Sequence, residues 1–249
     1  MFMIIFRSMI VTSLRDRISL FYSILFPAAL LFGLGLYFDS PEYRFNLLTG
    51  TVLLSTLFWS VQGTAFQVHQ QRNRGVYKLL KVTPLSNLSF VLNVTLARTV
   101  LGLIINGIIL AIGMIAYAIS FPMANLAVLG FILAIGTLCF TAMGFFVSNL
   151  AQNEAQINMF SNLIYIPMLF GSETFYSLQH APQWIKTAGN LFPLTYLVEG
   201  VRISYTDIGE VLPYIGIVAA FTVALIFLAA LTFRFDADQT LLFRKYRKV

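Results

Sequence analysis

The apolar residues of this chain fall in six long blocks, at 18–38, 45–68, 99–119, 123–148, 155–172 and 211–233. No block contains an acidic, basic or histidine side chain. A helix rises about 1.5 Å per residue, so about 20 residues cross a hydrocarbon core of about 30 Å. A soluble helix of that length needs a polar outer face, and these blocks have none. The pattern predicts an all-α integral membrane protein with six transmembrane helices.

The segments between the blocks supply edges and connections. Residues 1–17 read as an amphipathic interfacial helix, with Met1, Ile4, Ile5, Met9 and Val11 toward acyl chains and Arg7, Ser8, Thr12, Ser13 and Arg15 toward headgroups. Pro27 is placed to kink the first span. The second connection, 67–98, holds a short helix from Val76 to Lys81. It ends at Thr83 and Pro84, because the residue before proline is pushed out of the α region. Ser120, Phe121 and Pro122 make a tight turn, and residues 149–154 a polar one. The fifth connection, 173–210, is long and amphipathic. Trp184, Ile185, Leu191, Phe192, Leu194, Tyr196, Leu197 and Val198 predict short helices, broken at Pro182 and Pro193, at the membrane interface. The whole chain, 1–249, reads as one membrane domain.

Composition agrees with this and charge orients it. Hydrophobic residues make up 58% of the chain and charged ones 10%, against about 25% charged in a soluble domain. The start of the chain has no basic n-region and no small-x-small cleavage site, so it is not expected to act as a signal peptide. Of the sixteen basic residues, all but Arg44, Lys186 and Arg202 fall on one side of a six-span topology. By the positive-inside rule that side is cytoplasmic and holds both termini. The net charge of +6 is therefore topology rather than a nucleic-acid footprint.

Several chemistries are absent. No span holds an ionisable residue, which argues against a proton-coupled carrier or ion pump. None of the lysines follows a glycine, so there is no phosphate-binding G-x-x-x-x-G-K-[ST] loop and no ATP hydrolysis by this chain alone. His69 and His180 fall on opposite sides of the membrane, and the lone Cys139 offers neither disulfide nor metal site. Glu173, Glu199, Asp207 and Glu210 read as a solvated outer surface. No catalytic or metal site is expected.

The run Gln71, Arg72, Asn73, Arg74, Gly75, Val76, Tyr77, Lys78, Leu79, Leu80, Lys81, Val82, Thr83, Pro84, Leu85, Ser86 resembles the coupling segment of type-2 ABC permeases, the membrane subunits of bacterial ATP-binding cassette exporters. A second run, from Asn190 through Pro193, Leu194, Thr195 and Tyr196 to Glu199 and Arg202, is similar to that family's last outer loop. Two departures stand out. Gln71 and Asn73 replace acidic residues usual in the family, and Tyr176 replaces a common proline.

The resemblance implies a permease subunit in the bacterial plasma membrane, paired as a homodimer or with a related chain. A separate ABC ATP-binding subunit would bind ATP and Mg. That subunit would dock on Gln71, Arg72, Arg74, Gly75, Lys78, Leu79, Lys81 and Pro84, while Pro193, Tyr196 and Arg202 carry the outer-loop motif. The cargo would be an amphipathic drug, peptide, lipid or glycolipid moved outward, with membrane lipid as surroundings.

Two polar stripes suit a pathway: Ser55, Trp59, Gln62 and Phe66 on the second span, and Asn158, Asn162 and Tyr165 on the fifth. Each repeats at helical spacing on one face. The same groups could instead join helices by hydrogen bonds. A non-transporting membrane assembly or sensory partner is the alternative function, and it is separated from a permease by whether an ATPase binds the second connection.

Overall fold

A computed structural model describes residues 7, 10–14, 16–38, 40–80, 86–178 and 181–233, with Leu79 and Leu80 as backbone only. The described residues are mostly helical and include no strand. Among the described residues from 16 on, nine helices follow in order: α1 Arg17–Tyr37, α2 at 41–73, α3 Val76–Leu80, α4 Asn87–Tyr117, α5 Met123–Leu150, α6 Glu154–Gly171, α7 Gln183–Gly189, α8 Pro193–Thr206 and α9 Gly209–Leu231. Every apolar block of the sequence lies on one of them. Four, α1, α4, α5 and α9, are long and apolar enough to cross a membrane. The hydroxyls and amides of α2 and α6, such as Thr49, Thr51, Ser55, Thr56, Gln62, Asn158 and Asn162, dilute their hydropathy. Most of the expected lead-in helix 1–17 lies outside the described residues, although 10–14 are helical.

The boundaries differ from expectation around the second connection. Helix α2 runs on to Asn73 and α4 begins at Asn87, so the part of 67–98 left between them is 74–86, of which 74–80 are described as an elbow. Arg98, expected on a basic membrane edge, lies inside α4 and is completely buried. Helix α4 thus extends well ahead of the apolar run 99–119, and Arg98 lies at the head of that run.

The core is held by α5, which packs against α2, α4, α8 and α9. Gly144 lets it close on α2: a methyl there would lie 2.3 Å from the Val61 carbonyl oxygen. Small residues allow backbones to approach in this way where lipid gives no hydrophobic drive. Leu53, Leu57, Val61, Ile132, Phe140, Leu194, Leu197 and Val218 fill the space between these helices. Asn125 of α5 donates to the Ser204 and Tyr205 carbonyls at 2.9 Å each, meeting acceptors that the end of α8 leaves open.

Two helices widen into π turns, Phe21–Leu25 in α1 and Phe58–Gly63 in α2. Pro27 follows the first and lacks an N–H, so the Ser23 carbonyl loses its α-ladder donor. The Ser55 hydroxyl of α2 donates to that carbonyl at 2.5 Å. Satisfying freed backbone groups through a neighbouring helix is what lipid surroundings require.

Candidate functional site

The elbow is built on two buried anchors. Arg72, in the last turn of α2, is 2% exposed. Its Nη1 donates to the Ser148 carbonyl at 2.8 Å and its Nη2 to Asn149 Oδ1 at 2.7 Å. Ser148 O is one of the last carbonyls of α5, where orphan acceptors and the helix dipole favour a cation. Asn149 passes the contact on, donating to Ala229 O at 2.9 Å and Thr232 Oγ1 at 3.1 Å at the end of α9. One line of hydrogen bonds thus joins the ends of α2, α5 and α9.

Tyr77 is the second anchor. Its hydroxyl donates to Gln71 Oε1 at 2.9 Å. Its ring stands edge-on to Phe90, 5.0 Å away, and tilted to Phe233 at 5.8 Å. Burial pushes its phenol above the ordinary tyrosine range, against the opposing pull of Arg72 and Arg98. Between the anchors the chain turns at Gly75, whose φ of 74° is open to glycine at little strain. Arg74 and Lys78 are left exposed beside it.

The expected docking residues therefore divide. Gln71 and Arg72 point inward and bind the rest of the bundle. Arg74, Gly75 and Lys78 form the outer surface of the turn. Leu79 is described as backbone only, and Lys81 and Pro84 lie outside the described residues. On this short helix Val76 is 38% exposed, and Tyr77 is the residue turned into the bundle.

The pathway residues divide too. Ser55 and Trp59 are fully buried; Ser55 serves the Ser23 carbonyl, and Trp59 lies against Arg98. Gln62, Phe66 and Asn158 line a groove of about 230 Å³ between α1, α2 and α6, together with Ser19, Tyr22 and Phe58. At its mouth Gln62 Nε2 donates to Asn158 Oδ1 at 2.9 Å. Farther along α6 the Tyr165 hydroxyl donates to Asn162 Oδ1 at 2.5 Å, and its ring meets Phe58 at 5.7 Å. Among the described residues the groove's lining is mainly aromatic and amide, without a charged side chain.

Pro193 opens α8, where its missing N–H costs nothing. Tyr196 donates to the Asn190 carbonyl at 2.9 Å. Arg202 Nη2 donates to the Thr174 carbonyl at 3.2 Å, tying α8 to the segment after α6. Burial lowers the Arg202 pKa, partly offset by Glu173 and Glu199. The motif residues thus hold the α7–α8 region in place. Among the described residues no cluster of His, Cys, Asp and Glu could hold a metal.

Comparison with known proteins agrees with this architecture. Residues 1–206 match the family described as ABC-2 type transporter. A protein named as a transport permease (ycf38) of Pyropia yezoensis is 22% identical over 187 residues, covering 72% of this chain and 64% of the relative. The chain therefore spans less than two thirds of that relative's length. With α1, α4, α5 and α9 able to cross a membrane and more than half its length matched, the chain belongs to the ABC-2 type transporter family of multi-pass membrane permeases.

Proposed function

We propose that this permease is the membrane-spanning subunit of an ATP-driven exporter, energised by a separate ATPase subunit docked on the outer surface of the elbow. The observation that carries this reading is the elbow itself. Exposed Arg74 and Lys78 flank a glycine turn, and directly behind it Arg72 and Tyr77 are bonded into the bundle. A force applied at such a surface has a rigid route to α2, α5 and α9, whereas a solvated edge needs no inward anchors. In this reading α2 and α6 also cross the membrane, giving six spans with both termini cytoplasmic in a bacterial plasma membrane. Two such subunits form the transporter. The cargo is amphipathic and enters along the groove at Gln62 and Asn158, whose aromatic and amide lining suits a weakly polar head on an apolar body. ATP drives the cycle only by binding one global state better than another.

The test is an ATPase assay on the tagged protein purified under mild detergent from its native membranes. Activity should co-purify, and Arg74→Glu with Lys78→Glu should remove it while leaving insertion and thermal stability unchanged. Co-purified activity that survives the charge reversal would refute docking at the elbow. Its absence under every mild condition would refute the transporter reading.

A further inference from the structure

One buried charge takes no part in the elbow. Arg98 is completely enclosed within α4, a helix apolar enough to span a membrane. Its hydrogen bonds reach neutral oxygens: Nη1 donates to Gln67 Oε1 and more distantly to Ser13 Oγ at 3.4 Å, and Nη2 to the Trp59 carbonyl at 2.9 Å. Its guanidinium stacks 4.3 Å over the Trp59 ring, and the indole N–H donates back to the Arg98 carbonyl at 3.0 Å. Among the described residues no carboxylate bonds it, although the charge of Asp16 acts on it through space; burying a guanidinium in this way costs several kcal/mol, and an apolar side chain of similar size is often as stable or more so. Packing alone therefore gives little reason for an arginine here, and a guanidinium wholly enclosed at the head of the apolar run 99–119 points to a role beyond filling space.

Its position suggests the role. The Trp59 carbonyl and ring belong to the π turn Phe58–Gly63 of α2, and Gln67 follows in the α-helical half beyond it. Arg98 thus grips α2 on and below the widened turn. The fit leaves no slack: a methyl on Gly63 would lie 2.7 Å from Arg98 Nη2 and 2.9 Å from Ser19 Oγ. A π turn carries one extra residue, and π turns are frequent at functional sites. Returning it to α geometry rotates one half of the helix against the other by about 100°, the angle per residue of an α-helix. The two halves of α2 have different attachments. The upper half is tied to α1 through Ser55, and the lower half ends at the Arg72 clamp.

We infer that Arg98 is a positioning residue that holds the π turn of α2, and so sets the phase between the half tied to α1 at Ser55 and the half that ends at the elbow. The inference rests on the proposed function for its purpose, since that phase is what ATP-driven motion at the elbow would change. Its geometry can be tested without ATP.

The experiment uses the full chain in the Cys139→Ser background and two cysteine pairs. Ser23→Cys with Ser55→Cys reports above the turn, and Gln62→Cys with Asn158→Cys reports on its lower side. Both pairs join to a short bifunctional thiol reagent in the parent. In Arg98→Met one pair keeps its yield and the other falls several-fold, with a thermal transition no lower than the parent's. Arg98→Lys behaves the same way, because an ammonium neither forks nor stacks as a guanidinium does. Gly63→Ala is the second variant: it removes a helix-destabilising glycine, yet displaces the guanidinium and produces the same divergence.

Parental yields at both pairs in Arg98→Met and Gly63→Ala would overturn the inference. So would equal loss at both, which would mean general loosening. Neither readout needs an ATPase, so a failure here is distinct from failure of the transporter reading, which shows as absence of co-purifying activity.

Discussion

Replacing Arg72 with alanine separates an anchor from a docking contact. The side chain is 2% exposed and donates to two acceptors, Ser148 O and Asn149 Oδ1, at 2.8 and 2.7 Å. Hydrogen bonds from a charged donor are worth about 1.5–3 kcal/mol each, and a buried acceptor left unmet costs about 1–3 kcal/mol. Those terms overlap, so the expected loss is about 3–5 kcal/mol rather than their sum. Arg72→Lys keeps the charge but only one point of contact, and should lose about half as much. Asn149→Ala removes the onward bonds to Ala229 and Thr232. Because the two residues share a bond, a double-mutant cycle should return about 0.5–3 kcal/mol of coupling. The measurement is equilibrium unfolding in detergent micelles, followed by helical signal. If Arg72→Ala unfolds within about 0.5 kcal/mol of the parent, the value typical of surface changes, and loses a bound ATPase instead, the clamp is refuted. Arg72 would then belong to the docking surface.

Two further outcomes follow from the same geometry. Gly75→Ala places a side chain at a φ of 74° and should cost about 1–2 kcal/mol in unfolding assays; no measurable change would mean the turn differs in solution. Ser55→Ala removes the donor to the carbonyl beside Pro27. It should cost about 0.6–1.7 kcal/mol, the range for hydrogen bonds within membranes, and an unaltered unfolding curve would contradict the assigned bond.

The apolar blocks could be read from sequence because burial in lipid demands uninterrupted hydrophobicity, and each block lies on a helix. The elbow was legible through Gly75 and the basic residues around it. What sequence could not reveal was direction. Arg72 and Arg74 are two residues apart and alike in type, yet one is clamped by Ser148 and Asn149 and the other faces outward; only the position of the α5 terminus decides between them. Arg98 stands immediately before an apolar run, so hydropathy placed it at an edge. Helix α4 instead starts eleven residues earlier, where Ser86 caps it by accepting from the Ser89 N–H. Capping chemistry at Ser86 was the available signal. Trp59 shared a helical face with Gln62, but the π turn breaks the 3.6-residue period on which that stripe was drawn. Asn149 read as part of a polar turn, although it is wholly buried between two helix ends.

The most direct test of the central claim is where the ATPase touches the permease. In the Cys139→Ser background, a single cysteine is placed at Lys78 on the elbow or at Ser120, in the turn between α4 and α5 at the opposite end of α4. Each variant is treated in native membranes with a bifunctional thiol- and amine-reactive reagent, and its adducts are identified by mass spectrometry. An adduct between Lys78→Cys and an ATP-binding subunit is expected, and none from Ser120→Cys. An ATPase adduct from Ser120→Cys, or none from Lys78→Cys in a preparation that hydrolyses ATP, would contradict docking at the elbow.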